Sequence, residues 1–240
     1  MAADVTRREF LGKASAVAAV STGAAALTPG SAAAAESKPV KILGVCCSPR
    51  KGKTTATAMQ VCLDAAQAVS PRIEVELIEL AGLKIPGEVA AGLPLEEGQK
   101  DDFPQLAPKL SDPKVAGIII GTPVYFGNMS YLCKAFLDRC IVFHKPHTLQ
   151  NKVAGVLAVG GGRNCGLELT IRSVQVSLMS QQMIVVGDAP PTGHWGGTVW
   201  AGAGGKDADV TADKDGMATV SNLGRRVAEM ALLLARAAVS

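Results

Sequence analysis

Apolar runs alternate with amphipathic stretches from Lys38 onward. Val40 to Cys46 is an almost unbroken apolar run, the pattern of a strand buried on both faces. Val115 to Gly121, centred on Ile118-Ile119-Ile120, and Val153 to Val159 have the same character. Ile73 to Leu80 instead alternates as I-E-V-E-L-I-E-L, which predicts a half-buried strand nearer a sheet edge. Met183 to Val186 predicts one more short strand. Helical spacing predicts a helix over Thr54–Val69, with Ala56, Met59, Cys62, Leu63 and Ala66 on one face. It predicts further helices over Ser130–Phe143 and Leu167–Gln182, and a long closing helix over Thr219–Val239.

Strands that alternate with helices argue for an α/β fold, a parallel sheet covered on both faces. Five strands in this series fit a flavodoxin-like, doubly wound sheet of order 2-1-3-4-5. Two segments escape the pattern. Ala81 to Phe103 reads as irregular structure leading to a short helix. Ala189 to Lys214 is glycine-rich and holds Trp195 and Trp200, which either cover a bound ring or a subunit interface, or simply pack.

The first 35 residues read as an address rather than as part of the fold. Arg7-Arg8, then Phe10-Leu11 and Lys13, resemble a twin-arginine export signal. A weakly apolar stretch from Ala14 to Leu27 follows, then Pro29-Gly30 and a small-residue run, Ser31 to Ala35, suited to cleavage. The apolar stretch is too short for a membrane span. The resemblance implies export of an already folded protein to the periplasm or another extracytoplasmic space, often with a cofactor inside. Residues 36–240 then form one domain, long enough to bury about 70% of its unfolded surface without disulfide staples.

Composition changes this picture little. The net charge of +3 falls by one when the leader's Asp4, Arg7, Arg8, Glu9 and Lys13 are removed. So even a balance gives no case for nucleic-acid binding. None of the six cysteines forms a C-x-x-C pair. Cys133 and Cys140 lie two turns apart on one predicted helix, beyond disulfide reach. Small buried thiols are the expectation, with a long-range or intermolecular disulfide left open. His144 and His147 lack the further ligands that a metal site needs and read as a surface helix end.

Chemistry gathers in the loops that follow the three buried strands. The first, Cys47-Ser48-Pro49-Arg50-Lys51-Gly52-Lys53-Thr54-Thr55, leaves a strand and opens a helix. Free N–H groups and the helix dipole make that a phosphate site. Ser48, Thr54 and Thr55 offer hydroxyls, and Arg50 or Lys53 offers charge. Gly52-Lys53-Thr54 also looks like the end of a P-loop. That motif wants glycine where Cys47 stands, and a magnesium-binding Asp where Thr122 and Pro123 follow the next buried strand. The second loop, Gly121-Thr122-Pro123-Val124-Tyr125-Phe126-Gly127-Asn128, supplies an aromatic pair for a planar ring. The third, Gly160-Gly161-Gly162-Arg163-Asn164-Cys165-Gly166, lets backbone approach a ligand closely. In an open α/β sheet these loops converge on one crevice. Cys165 fills a tight turn or acts as a redox thiol.

Ser48-Pro49-Arg50-Lys51 with Thr54-Thr55 resembles the phosphate loop of the NADPH-dependent FMN reductase and iron–sulfur flavoprotein families, with Thr54 where they usually carry Asn. Thr122-Pro123-Val124-Tyr125-Phe126-Gly127-Asn128, followed by Lys134-Ala135-Phe136-Leu137-Asp138-Arg139, is similar to their second loop and helix. Gly161-Gly162-Arg163, Gly166 and Glu168 are similar to their third turn. The resemblance spans roughly Val40 to Gly187.

It implies FMN held by Ser48, Arg50, Lys53, Thr54 and Thr55 at the phosphate. At the ring it implies Pro123, Val124, Tyr125, Phe126, Gly127, Asn128, Gly161, Gly162, Arg163 and Gly166. It also implies NADPH or NADH as reductant, a small-molecule acceptor or redox protein as partner, and a homodimer or homotetramer. The iron–sulfur members carry a compact cysteine cluster between the second strand and the next helix. Here Leu83 through Lys100 holds no cysteine, although Asp101-Asp102 follows as in those proteins. A cubane cluster needs thiolates, so none is expected. An FMN-dependent oxidoreductase is the first expectation, a non-enzymatic flavodoxin-like electron carrier the second, and a flavin-binding or storage module without turnover the third.

Overall fold

Strand β1 (Val40–Cys46) buries every residue but Lys41, and its side chains alternate between two cores. Leu43 and Val45 face one layer, Val40 and Ile42 the other. A strand so placed must lie inside the sheet. In the computed structural model, which describes residues 38–202 and 209–237, β1 pairs in parallel with β2 (Ile73–Glu79) on one side and β3 (Val115–Tyr125) on the other. The expected leader, residues 1–35, lies outside the described residues.

The sheet continues through β5 (Val153–Gly160) to β6 (Ile184–Val185), giving the order β2-β1-β3-β5-β6. Counted by position, this is the expected 2-1-3-4-5. Two short strands raise the total to seven. β4 (Asn128–Met129) folds back antiparallel on Val124–Tyr125. β7 (Gly197–Trp200) pairs in parallel with Leu157–Gly160. The fifth position is therefore split: β6 covers Val153–Ala154, the chain leaves the sheet, and β7 returns to cover the upper half of β5. The expected strand over Met183–Val186 shrinks to two residues. The segment read as a glycine-rich loop supplies the other part, because Thr198, Val199 and Trp200 are good strand formers beside an otherwise unpaired edge.

Helices α1 (Thr54–Gln67) and α5 (Lys214–Ala237) cover one face. α2 (Phe103–Ser111), α3 (Tyr131–Arg139) and α4 (Leu167–Ser180) cover the other. α5 starts five residues earlier than its periodicity indicated. The helix expected to run to Phe143 tightens into a 3-10 turn over Cys140–Phe143. His144 and His147 follow, exposed and joined by a turn hydrogen bond, so they share no helical face. Among the described residues, no helix is long and apolar enough to cross a membrane.

The irregular stretch after β2 is anchored by charge. Arg139 on α3 grips Asp101 with two hydrogen bonds, 2.9 and 2.7 Å, and donates a third to the Pro86 carbonyl at 3.1 Å. Its guanidinium also lies over the Phe103 ring, 4.9 Å from the centroid. All six cysteines are free thiols, five of them buried. Burial pushes the Cys46 thiol up to about 11 and the Cys140 thiol up to about 12. Protonated, enclosed thiols of this kind are inert packing groups.

Candidate functional site

The first loop is shaped by its own hydrogen bonds. The Ser48 hydroxyl accepts the Arg50 N–H at 3.1 Å and donates to the Arg50 carbonyl at 3.2 Å, which closes the turn. The Gly52 N–H donates to Glu79 at the end of β2, 2.7 Å away. α1 then begins with no side chain capping its N-terminus and no acidic residue in its first turn. Two buried polar atoms at this point have no partner, Arg50 Nε and Thr55 Oγ1. An unmet buried donor or hydroxyl costs about 1–3 kcal/mol. A helix N-terminus, a guanidinium N–H and a hydroxyl that all lack partners form a binding site for an anion.

Ser130 joins the first and second loops. Its hydroxyl donates to the Cys47 carbonyl at 2.7 Å and caps α3 by accepting the Cys133 N–H at 3.1 Å. Its own N–H donates to Thr122 Oγ1. Above Ser130 stands the β3–β4 hairpin. Phe126 and Gly127 both have positive φ, 49° and 77°, as a type I′ turn requires. Phe126 sits fully exposed at the tip, with Tyr125 half-exposed beside it.

The third loop meets this hairpin backbone to backbone. Gly166 has φ of 93°, and a Cβ there would lie 2.8 Å from Gly127 Cα. Gly166→Ala should therefore destabilise the protein by about 1–3 kcal/mol, read as a lowered thermal midpoint. An unchanged midpoint would show that the two loops are not in fixed contact. Cys165 packs beneath the loop so tightly that a Cβ at Gly160 would collide with its thiol. It fills the turn.

Together the loops enclose a cavity of about 390 Å³, within the roughly 300–1,000 Å³ usual for small-molecule sites. Arg50 and Thr54 line it from the first loop, Pro123, Val124 and Tyr125 from the second, and Gly160 and Gly161 from the third. Ala201 and Gly202, at the exit of β7, complete the wall. Thr55 is buried and outside the lining, and Ser48 is engaged within its own turn. Lys53 is exposed at the helix start, outside the lining. Phe126, Gly127 and Asn128 form the hairpin tip, with Asn128 Oδ1 accepting the Met129 N–H. Gly162 and Gly166 shape the third loop.

Arg163 turns elsewhere. It pairs with the buried Asp213 at 2.7 Å and lies over the Trp200 ring, 5.4 Å from the centroid. Trp200 donates its indole N–H to the Gly161 carbonyl at 3.0 Å and its backbone N–H to Asp213 at 2.8 Å. Burial alone would raise the Asp213 carboxyl. The N–H groups of Trp200 and Gly216 and the Arg163 guanidinium outweigh that and hold it below the ordinary value. Asp213 thus fixes β7 and the third loop as an ionised carboxylate. Trp195 stands apart, its ring covered by Arg172.

Residues 40–196 match the family described as NADPH-dependent FMN reductase. The chain belongs to this family. FMN-reductase membership places it among flavin oxidoreductases. An iron–sulfur flavoprotein of Methanocaldococcus jannaschii is 36% identical over 198 residues, covering 81% of this chain and 99% of that one. An NAD(P)H dehydrogenase (quinone) of Chromohalobacter salexigens is 33% identical over 118 residues, 48% of this chain and 55% of that one. In structure, the flavodoxin, WrbA-like protein from Agrobacterium tumefaciens superposes with a TM-score of 0.53 at 17% identity, covering 81% of this chain and 98% of that one. This likeness shows the flavodoxin-like fold. The present chain has no cysteine between Cys62 and Cys133. Among the described residues no group of three or more His, Cys, Asp or Glu could hold a metal ion.

Proposed function

We propose that the protein is an FMN-dependent oxidoreductase that draws electrons from NADPH or NADH and passes them to a quinone, a free flavin or another acceptor, without an iron–sulfur cluster. The observation that carries this reading is the pair of unpartnered buried atoms, Arg50 Nε and Thr55 Oγ1, at the uncapped start of α1. Arg50, Thr54 and Thr55 would hold the FMN phosphate. Pro123, Val124, Tyr125 and Gly161 would line the ring. FMN, when bound, supplies the redox chemistry. The protein's own part is to orient the cofactor through backbone fixed at three strand ends. No side chain is assigned as an acid or base.

Anaerobic addition of NADPH or NADH to the purified yellow protein should bleach its absorbance near 450 nm. Bleaching by dithionite alone would remove the reductase assignment. A second reading, an electron carrier, draws on the twin-arginine-like leader, since nicotinamide cofactors are scarce outside the cytoplasm. It expects two separated one-electron steps in a redox titration and no response to either nicotinamide. Under both readings we propose that residues 1–35 direct export of the folded protein, that residues 36–240 form the FMN-binding domain, and that the mature protein is a homodimer or homotetramer.

A further inference from the structure

A second cavity, of about 550 Å³, opens where the chain leaves β2 and where α3 begins. Both points follow the carboxyl ends of strands, so this cavity lies at the same end of the sheet as the flavin loops. Its apolar floor is Leu83, Ile85, Pro86 and Leu132, and the exposed Tyr131 stands at its wall. Its charged lining residues are two lysines, Lys84 and Lys100.

The floor is firmly held. Arg139 bonds the Pro86 carbonyl from below. The Lys84 backbone is clamped to Asp102 twice, N–H to carboxylate and carbonyl to N–H, each at 2.8 Å. Of the neighbouring acids, Asp102 accepts the Lys84 N–H, Asp101 is held by Arg139, and Glu88 is occupied by the Gln99 amide at 2.7 Å; none is in the lining. Neither lysine ammonium has an acidic partner among the described residues. Tyr131 directly follows Ser130, which ties the second flavin loop to the first.

An apolar floor, a phenol ring and two unpaired ammonium groups recognise a flat aromatic molecule that carries a negative charge. We propose that this cavity binds the electron acceptor as a planar quinone-type anion, a ring system reducible to its hydroquinone that also bears a carboxylate or sulfonate. The proposal rests on the oxidoreductase reading and names its acceptor class. The cavity has ample room for a two-ring molecule.

The probe is 1,4-naphthoquinone-2-sulfonate, titrated calorimetrically into the oxidised, FMN-loaded full chain. Uncharged 2-methyl-1,4-naphthoquinone serves as control. Lys84→Ser with Lys100→Ser should weaken binding of the sulfonate about tenfold and change binding of the uncharged quinone by less than about twofold. The FMN content of the variant reports independently on the flavin site. Equal sulfonate affinity in variant and parent overturns the proposal, as does displacement of the probe by NADP⁺. Charge-dependent binding in a protein that NADPH fails to bleach keeps the cavity and removes the reductase reading. Bleaching by NADPH with lysine-independent binding does the reverse.

Discussion

Arg50→Ala combined with Thr55→Ala should strip the protein of FMN while leaving the sheet intact. Each side chain loses one or more contacts to the phosphate, about 1–3 kcal/mol apiece. Together they should raise the FMN Kd by about 30-fold to 10⁴-fold, measured by flavin fluorescence on adding FMN to apoprotein. Stability should move the other way. Thr55 Oγ1 and Arg50 Nε are buried and unmatched without ligand, so their removal should leave the apoprotein at least as resistant to urea as the parent. Weaker binding with unchanged or greater apoprotein stability distinguishes a ligand site from a structural one. A double variant that retains FMN with parental affinity would place the phosphate elsewhere.

The second large effect concerns the ion pair beneath the irregular segment. Arg139 and Asp101 have side chains only 6% and 10% exposed. Arg139→Met leaves a buried carboxylate without its partner, a change that costs about 3–5 kcal/mol. Replacing Asp101 with Leu as well should recover much of that loss, because a pair removed together leaves no orphan charge. The same pair predicts acid sensitivity. Burial raises the Asp101 carboxyl, but the Arg139 hydrogen bonds, the Phe103 N–H and the guanidinium charge hold it below the ordinary value. A depressed carboxyl contributes stability above the unfolded-state value, about pH 3.9, and loses it as pH falls through the folded one. The parent should therefore lose stability from about pH 4 downward, and the Asp101→Leu, Arg139→Met variant should lose less over that window. Parallel curves of urea midpoint against pH would show that the pair is not the source.

How much of this was legible in the sequence follows from what each residue depends on. β1, β3 and β5 are buried on both faces, so unbroken apolar runs marked them. The first loop and its uncapped helix start were legible because strand, turn and helix start are consecutive in the chain. β7 escaped notice because four strand residues lie among glycines, and only pairing with β5 makes them a strand. The hairpin at Phe126-Gly127 carries no Asn-Gly signal, since Asn128 follows the glycine instead of preceding it. Arg163 fits the flavin-loop motif, yet its direction is set by Asp213, fifty residues away, which no local pattern reports. Ala201 and Gly202 reached the cavity wall for the same reason as β7.

The divided fifth strand also constrains how copies of this protein can meet. An outer strand of full length is a template on which a foreign strand can zip. Here that rim offers two residues, a gap, and four more. The opposite rim, β2, is continuous but carries carboxylates at Glu74, Glu76 and Glu79, with Glu76 already neutralised by Lys41 and Lys109. Neither side invites sheet extension between molecules, so subunits that associate must do so through helices and loops.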